Sequence, residues 1–323
     1  MLLTLVRLLI QRFAIALPMI FAVVTLTFFL IRLAPGDPAL ILAGDAPTPE
    51  FLAQVRSEYG LDQPILVQYV SYLWKAMQGD FGQSIFYGRP VFDLIWERFP
   101  ATALLTVVAI IVASTLGILL GVLAARHAGT GVDTGITIAS LVGYSIPNFW
   151  TAQILVLVFA VELNLLPAGG MTSARITYTG LNYVLDVARH IVLPVVTLAL
   201  FLMTFTARFT RAAMVDALDQ DFVMVAQAKG ATGRRVLWNH AFPNAIVTVA
   251  TVIGLEFGAL LAGAVVTEII FGWPGLGRLF YDAIYRRDFP LLTGAFIFTS
   301  AIVVIVNVLT DVLCAMLDPR LRR

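Results

Sequence analysis

Six long apolar stretches, nearly free of charge, divide this chain and restrict what it can fold into. They lie between Arg12 and Arg32, Arg98 and Arg126, Asp133 and Glu162, and His190 and Arg208, then from Ala241 to Thr267 and between Asp288 and Asp311. They hold 19, 27, 28, 17, 27 and 22 residues, and Glu256 is the one charge inside them. A helix needs roughly 20 apolar residues to cross the hydrocarbon core of a bilayer. A soluble core has no need of such blocks. Composition agrees: charged residues make up 13% of the chain, against about 25% in soluble domains. Strand alternation is absent, which excludes a transmembrane barrel. The first stretch is too long for a signal core, and LAPGD after it is not a small-residue cleavage site. The expectation is an all-α integral membrane protein with about six spans.

Basic residues in short loops orient such spans. The side holding both termini carries eleven Lys and Arg, against five in the short loops opposite. Both termini are therefore expected in the cytoplasm. The chain divides into the N-terminus and first span (1–32), an external segment (33–100), a five-span core (101–318) and a tail (319–323). A net charge of +1 provides no global field for nucleic acid. Cys314, the single cysteine, rules out an intrachain disulfide.

Two polar segments stand out. In 33–100, short amphipathic helices are expected over Phe51–Tyr59 and Ile65–Met77, forming a lid or a docking surface for an external partner. In the cytoplasmic loop 208–243, Asp219 or Asp221 can cap a short helix. Gly230 can end it in the left-handed conformation. One face would carry Phe222, Val225, Ala226 and Lys229. So short a helix is unstable alone and needs a surface to pack on. Ala226, Ala228 and Gly230 would allow close approach. Arg208 and Arg211 can reach the headgroups and anchor the preceding span.

This loop resembles the coupling loop of ABC importer permeases. AQAKG (226–230) and HAFPNA (240–245) are similar to the dipeptide/oligopeptide/nickel branch, with Gly230, Ala226, His240 and Pro243 at matching positions. Met224 and Val225 stand where the family pattern has Glu and Ala. LAPGDPA (33–39), SIPNFW (145–150), LLPAGG (165–170), HIVLPVVTLAL (190–200), TEIIFGWPGLGRLF (267–280), RRDFP (286–290) and LDPRLR (317–322) resemble the same branch, in order along the chain. The first of these and the length favour its B-type subunit. The resemblance implies a type I importer permease in the bacterial inner membrane. It would pair with a homologous second permease, two cytoplasmic ATPase subunits carrying ATP and Mg, and an extracytoplasmic substrate-binding protein. Peptides are the implied cargo, with nickel, glutathione or oligosaccharides as alternatives. A stand-alone secondary transporter or channel is the competing class.

The residues themselves supply no motor and no enzyme. The two lysines, Lys75 and Lys229, do not form a phosphate-cradling loop. His127, His190 and His240 lie far apart and suggest no metal site. No catalytic residues and no bound cofactor are expected. Charges at membrane depth are costly and often functional, which makes Glu256 a pathway candidate. GWPGLG (272–277) cannot be regular helix, and such backbone must line a cavity or be buried in protein. Trp273, Pro274 and Gly275 are therefore further pathway candidates. Small residues four apart allow close helix packing. Gly117 and Gly121 are expected to pack within the subunit, and Gly254 and Gly258 against a partner permease. Pro147 should kink the third span.

Overall fold

The structure is a computed structural model that describes residues 2–33, 39–40, 48–58 and 60–317. Most of LAPGDPA and of the C-terminal LDPRLR lies outside the described residues. Helices coincide with all six apolar stretches. They are α1 (Leu2–Leu33), α4 (Val91–Arg126), the pair α5 (Gly131–Ser145) and α6 (Asn148–Leu155), α7 (Leu181–Leu218), α9 (Phe242–Ile270) and α11 (Phe289–Leu317). Between them lie α2 (Pro49–Glu58), α3 (Ile65–Met77), α8 (Asp221–Ala228) and α10 (Leu276–Tyr285).

Among the described residues, four helices are long and apolar enough to cross a membrane, and the number is five if the bent α5–α6 pair is counted as one span. The described apolar part of α1 is the shorter Ala14–Phe29. The third stretch is broken outright rather than kinked, with a bend of 96° between its halves. The cause is Ile146-Pro147. A residue before proline is pushed out of the helical region, and Ile146 is extended at φ −81°, ψ 124°. Ser145 Oγ turns back to the Leu141 carbonyl, at 2.8 Å. After the break α6 continues into a π-helical turn, Val156–Glu162.

The chain forms two compact units. The first comprises residues 1–12, 101–278 and 305–323. Its most buried candidate span is α7. Ala101, Leu105, Ala109 and Ala113, four apart on α4, pack with Val195, Leu198 and Leu202 of α7 and with Leu260 and Ala264 of α9. Gly117 and Gly121 let α4 approach α7 closely. A methyl on Gly121 would lie 2.6 Å from the Ala207 carbonyl of α7, and one on Gly117 would lie 2.9 Å from the Met203 carbonyl. This is the expected packing within the subunit. Gly254 departs from expectation: it faces Thr310 of α11 in this same chain, so its small size serves internal packing. Gly258 is half-buried.

The second unit comprises residues 13–100 and 279–304. Phe28 of α1 packs on Tyr69 and Tyr72 of α3. Asp288 accepts bonds from Ser84 Oγ and the Phe86 amide. Gly294 of α11 leaves room for Val91 and Phe81.

Candidate functional site

The last turns of α7 carry the short helix α8 on a fixed base. Met214 and Ala217 are buried with Leu237, Ala241 and Ala245, and with Val122 and Ala125 of α4. Arg211 does not reach outward for headgroups as expected. Its guanidinium forms a two-pronged ion pair with Asp133 at the start of α5, Nη2 standing 2.6 Å from Oδ2. Asp133 Oδ2 also accepts from the Gly129 amide, at 3.0 Å. A planar fork meeting a carboxylate fixes both distance and orientation. The ends of α7 and α5 are thereby tied. Arg208 is exposed.

Beyond α7 the chain turns through Asp219 and Gln220 into α8. Neither expected aspartate caps it. Gln220 is the capping position, with extended backbone and no side-chain bond. Asp221 is already in the first turn, where its charge complements the helix dipole. The C-terminal end is as expected: Gly230 has φ +81°, and the Ala231 amide reaches back to the Ala226 carbonyl at 3.1 Å. That bond and the left-handed glycine close the helix end.

The expected face divides in two. Val223 and Ala226, three apart, are buried against the chain itself. Phe222, Met224 and Val225 are exposed, as are Ala228, Lys229 and Gly230. Ala226 therefore serves the base, and the free apolar surface is Phe222, Met224 and Val225. The chain then enters a helical turn, Gly233–Arg235, and a π-helical turn, Val236–Ala241, that runs into α9. Thr232, Arg234, Arg235, Trp238 and Asn239 line a shallow basic cleft there. His240 is half-buried, and its carbonyl accepts from Asn244 Nδ2 at 2.7 Å. Pro243 is exposed in the first turn of α9, where a missing amide hydrogen costs little.

The 271–275 loop is built in the opposite sense. Trp273 is fully buried, and its indole donates to the Ala101 carbonyl at 2.8 Å. Glu268 is fully buried too. It accepts from Thr102 Oγ1 at 2.6 Å and from the Arg278 amide at 3.1 Å. Thr102 Oγ1 in turn accepts from the Leu276 amide, at 2.7 Å. A carboxylate at the start of α10 thus satisfies amides that a helix end leaves open. Gly275 lies against the Glu268 carboxylate. LLPAGG joins the same knot, since the Gly170 amide donates to the Phe271 carbonyl at 2.7 Å. Trp273 and Gly275 consequently face the interior of this chain. Pro274 is half-buried.

Glu256 is half-buried on α9, with no hydrogen bond or ion pair among the described residues. No group of three or more metal-ligating side chains occurs among the described residues. Sequence reasoning missed Glu268, Thr102 and Asp133. Glu268 and Asp133 stood at the ends of apolar stretches and were read as boundaries. A carboxylate beside an apolar run, with hydroxyls or arginines a span away, is the signal that was present.

A bundle of long apolar helices that carries an anchored, partly uncovered loop helix is the arrangement the resemblance to transport permeases implied. Two family models match the chain. Residues 117–323 match the binding-protein-dependent transport system inner membrane component, and residues 5–106 match the N-terminal part of such components. The chain belongs to this family of ABC importer permeases of the inner membrane. A putative peptide transport system permease protein of Brucella abortus strain 2308 is 41% identical, over 98% of this chain and 98% of its own length. The dipeptide transport system permease protein DppB of Escherichia coli K12 is 38% identical, over 97% of each chain. A chain of the inward-facing MetNI methionine ABC transporter has the same fold, with a TM-score of 0.56 at 14% identity, covering 70% of this chain and 96% of that one.

Proposed function

We propose that this chain is one of two transmembrane subunits of an ATP-driven importer of di- or oligopeptides. The observation that carries the reading is the uncovered apolar face of α8, Phe222, Met224 and Val225, on a helix fixed to its own chain by Val223 and Ala226. A partner in the cytoplasm covers that face. In this reading it is an ATPase subunit holding ATP and Mg, and a second copy engages the homologous permease. Closure of the ATPases pushes α8. Its base, α7 tied to α5 through Arg211 and Asp133, moves as a rigid body and exchanges outward for inward access. In this reading the chain crosses six times with both termini in the cytoplasm, which puts α8 on the ATPase side. The peptide arrives from an extracytoplasmic substrate-binding protein. The names of the relatives support peptides as cargo.

The test is reconstitution with the second permease, the ATPases and the binding protein in proteoliposomes. ATP-dependent peptide uptake is expected. The double variant Phe222→Asp, Val225→Asp should release the ATPases and abolish uptake while the two permeases still copurify. Peptide flux through this chain alone, without ATP, would favour a secondary transporter and overturn the reading.

A further inference from the structure

The external segment contains an amphipathic helix whose apolar side faces away from the chain. On α3, Leu66, Val70, Trp74 and Met77 form one stripe at helical spacing. They are 72%, 63%, 61% and 73% exposed. The opposite face carries Tyr69 and Tyr72, which pack on α1. The Tyr69 hydroxyl meets Thr25 Oγ1 at 2.7 Å. Its ring lies 5.2 Å from Phe28 and 5.8 Å from the exposed Phe29. These contacts set the height of α3. Thr25 stands seven residues before Arg32, the charge that ends the first apolar stretch. At 1.5 Å per residue this is about 10 Å along the helix axis. The inner face of α3 is thus held against the apolar length of α1 and not above it.

We infer that α3 lies in the outer boundary of the bilayer, with Leu66, Val70, Trp74 and Met77 buried among lipid acyl chains. An interfacial helix sinks its apolar face about 5–10 Å into the boundary between headgroups and acyl chains, which matches the height set by Thr25. On α1, the helix against which α3 packs, Leu26 and Phe29 are also exposed. Trp74 beside Lys75 suits the same depth, because an indole favours the interface and a lysine stem can extend its ammonium to the phosphates. Thr25 Oγ1 donates to the Phe21 carbonyl at 2.7 Å and accepts from the Tyr69 hydroxyl, so both hydroxyl protons are bonded, as groups cut off from water require. A water-facing role for α3, either as a lid or as a seat for the binding protein, would leave this stripe in water. The inference rests on α1 being a membrane span, as in the function proposed above.

The experiment uses single cysteines in a Cys314→Ser background that retains uptake. Leu66→Cys, Val70→Cys, Trp74→Cys and Met77→Cys are spin-labelled in the full transporter in nanodiscs. Collision with oxygen, which partitions into lipid, is compared with collision with a water-soluble nickel chelate. Leu17→Cys on α1 and Asp80→Cys after α3 serve as the lipid and water references. Oxygen preference at the four α3 positions, approaching that of Leu17→Cys, is expected. Nickel preference like that of Asp80→Cys would overturn the inference. So would shielding from both reagents that appears only when the binding protein is added, because the stripe would then belong to that partner. Loss of oxygen preference at Leu17→Cys would instead defeat the reading of α1 as a span.

Discussion

The α8 segment and the 271–275 loop make an instructive pair. Both are short connections next to α9, both contain a left-handed glycine, and both carry apolar side chains. In α8, two residues hold the helix to its base, and Phe222, Met224 and Val225 remain outside. In the loop, Trp273 and Phe271 point inward, and a fully buried carboxylate ties the backbone down. Apolar content alone therefore does not separate a surface offered to a partner from a surface used internally. The backbone hydrogen bonds do. A loop closed on itself needs an acceptor for each amide it buries. Glu268 and Thr102 supply two, whereas the amides past the first turn of α8 bond to carbonyls of their own helix.

The contrast can be broken most directly at Glu268. Glu268→Ala leaves the Thr102 hydroxyl and the Arg278 amide without their acceptor in a buried site. A loss on the order of 3 kcal/mol is expected, visible as a large fall in the thermal midpoint of the purified subunit. Unchanged unfolding would mean that the knot does not hold the loop. The double variant Phe222→Asp, Val225→Asp should do the reverse, with near-wild-type unfolding and loss of ATPase copurification. A large fall in stability would make α8 an internal element like the loop.

The two regions' glycines give a finer test. A methyl on Gly275 would collide with the Glu268 carboxylate, whereas Gly230 has nothing within 4 Å. Gly275→Ala should therefore cost about 1–3 kcal/mol from overpacking. Gly230→Ala, with strain from its positive φ alone, should cost about 1–2 kcal/mol. Guanidine or thermal unfolding in detergent ranks the pair, and the opposite order would refute the packing argument. The smallest effect on stability is expected for Asp133→Asn, since Arg211 is partly exposed. Its consequence should be functional. Peptide transported per ATP hydrolysed should fall, because α7 and α5 lose their tie. An unchanged ratio would remove the pair from the transmission path.

Much of the architecture was legible because lipid imposes a simple rule. Backbone polar groups must be satisfied within each span, so long charge-free stretches become helices wherever they occur. Gly230 as a helix end was legible for a similarly local reason. The roles of Ala226, Trp273 and Gly254 were not. Each depends on a residue distant in sequence: Trp273 meets Ala101, and Gly254 meets Thr310. Spacing along one helix reports which residues share a face, but not whether that face meets this chain, another chain or lipid.

By itself, the sequence determined that this is a helical membrane protein with a short helix in the loop after its fourth apolar stretch, and its motifs identified the permease family. Hydropathy and glycine placement act over a few residues and need no partner. Only the tertiary structure decided which small and apolar residues are consumed inside the chain and which remain outward. It paired Asp133 with Arg211, closed the 271–275 loop over Glu268, and left the faces of α8 and α3 uncovered. Those outcomes turn on contacts between residues far apart in sequence, which local periodicity does not encode.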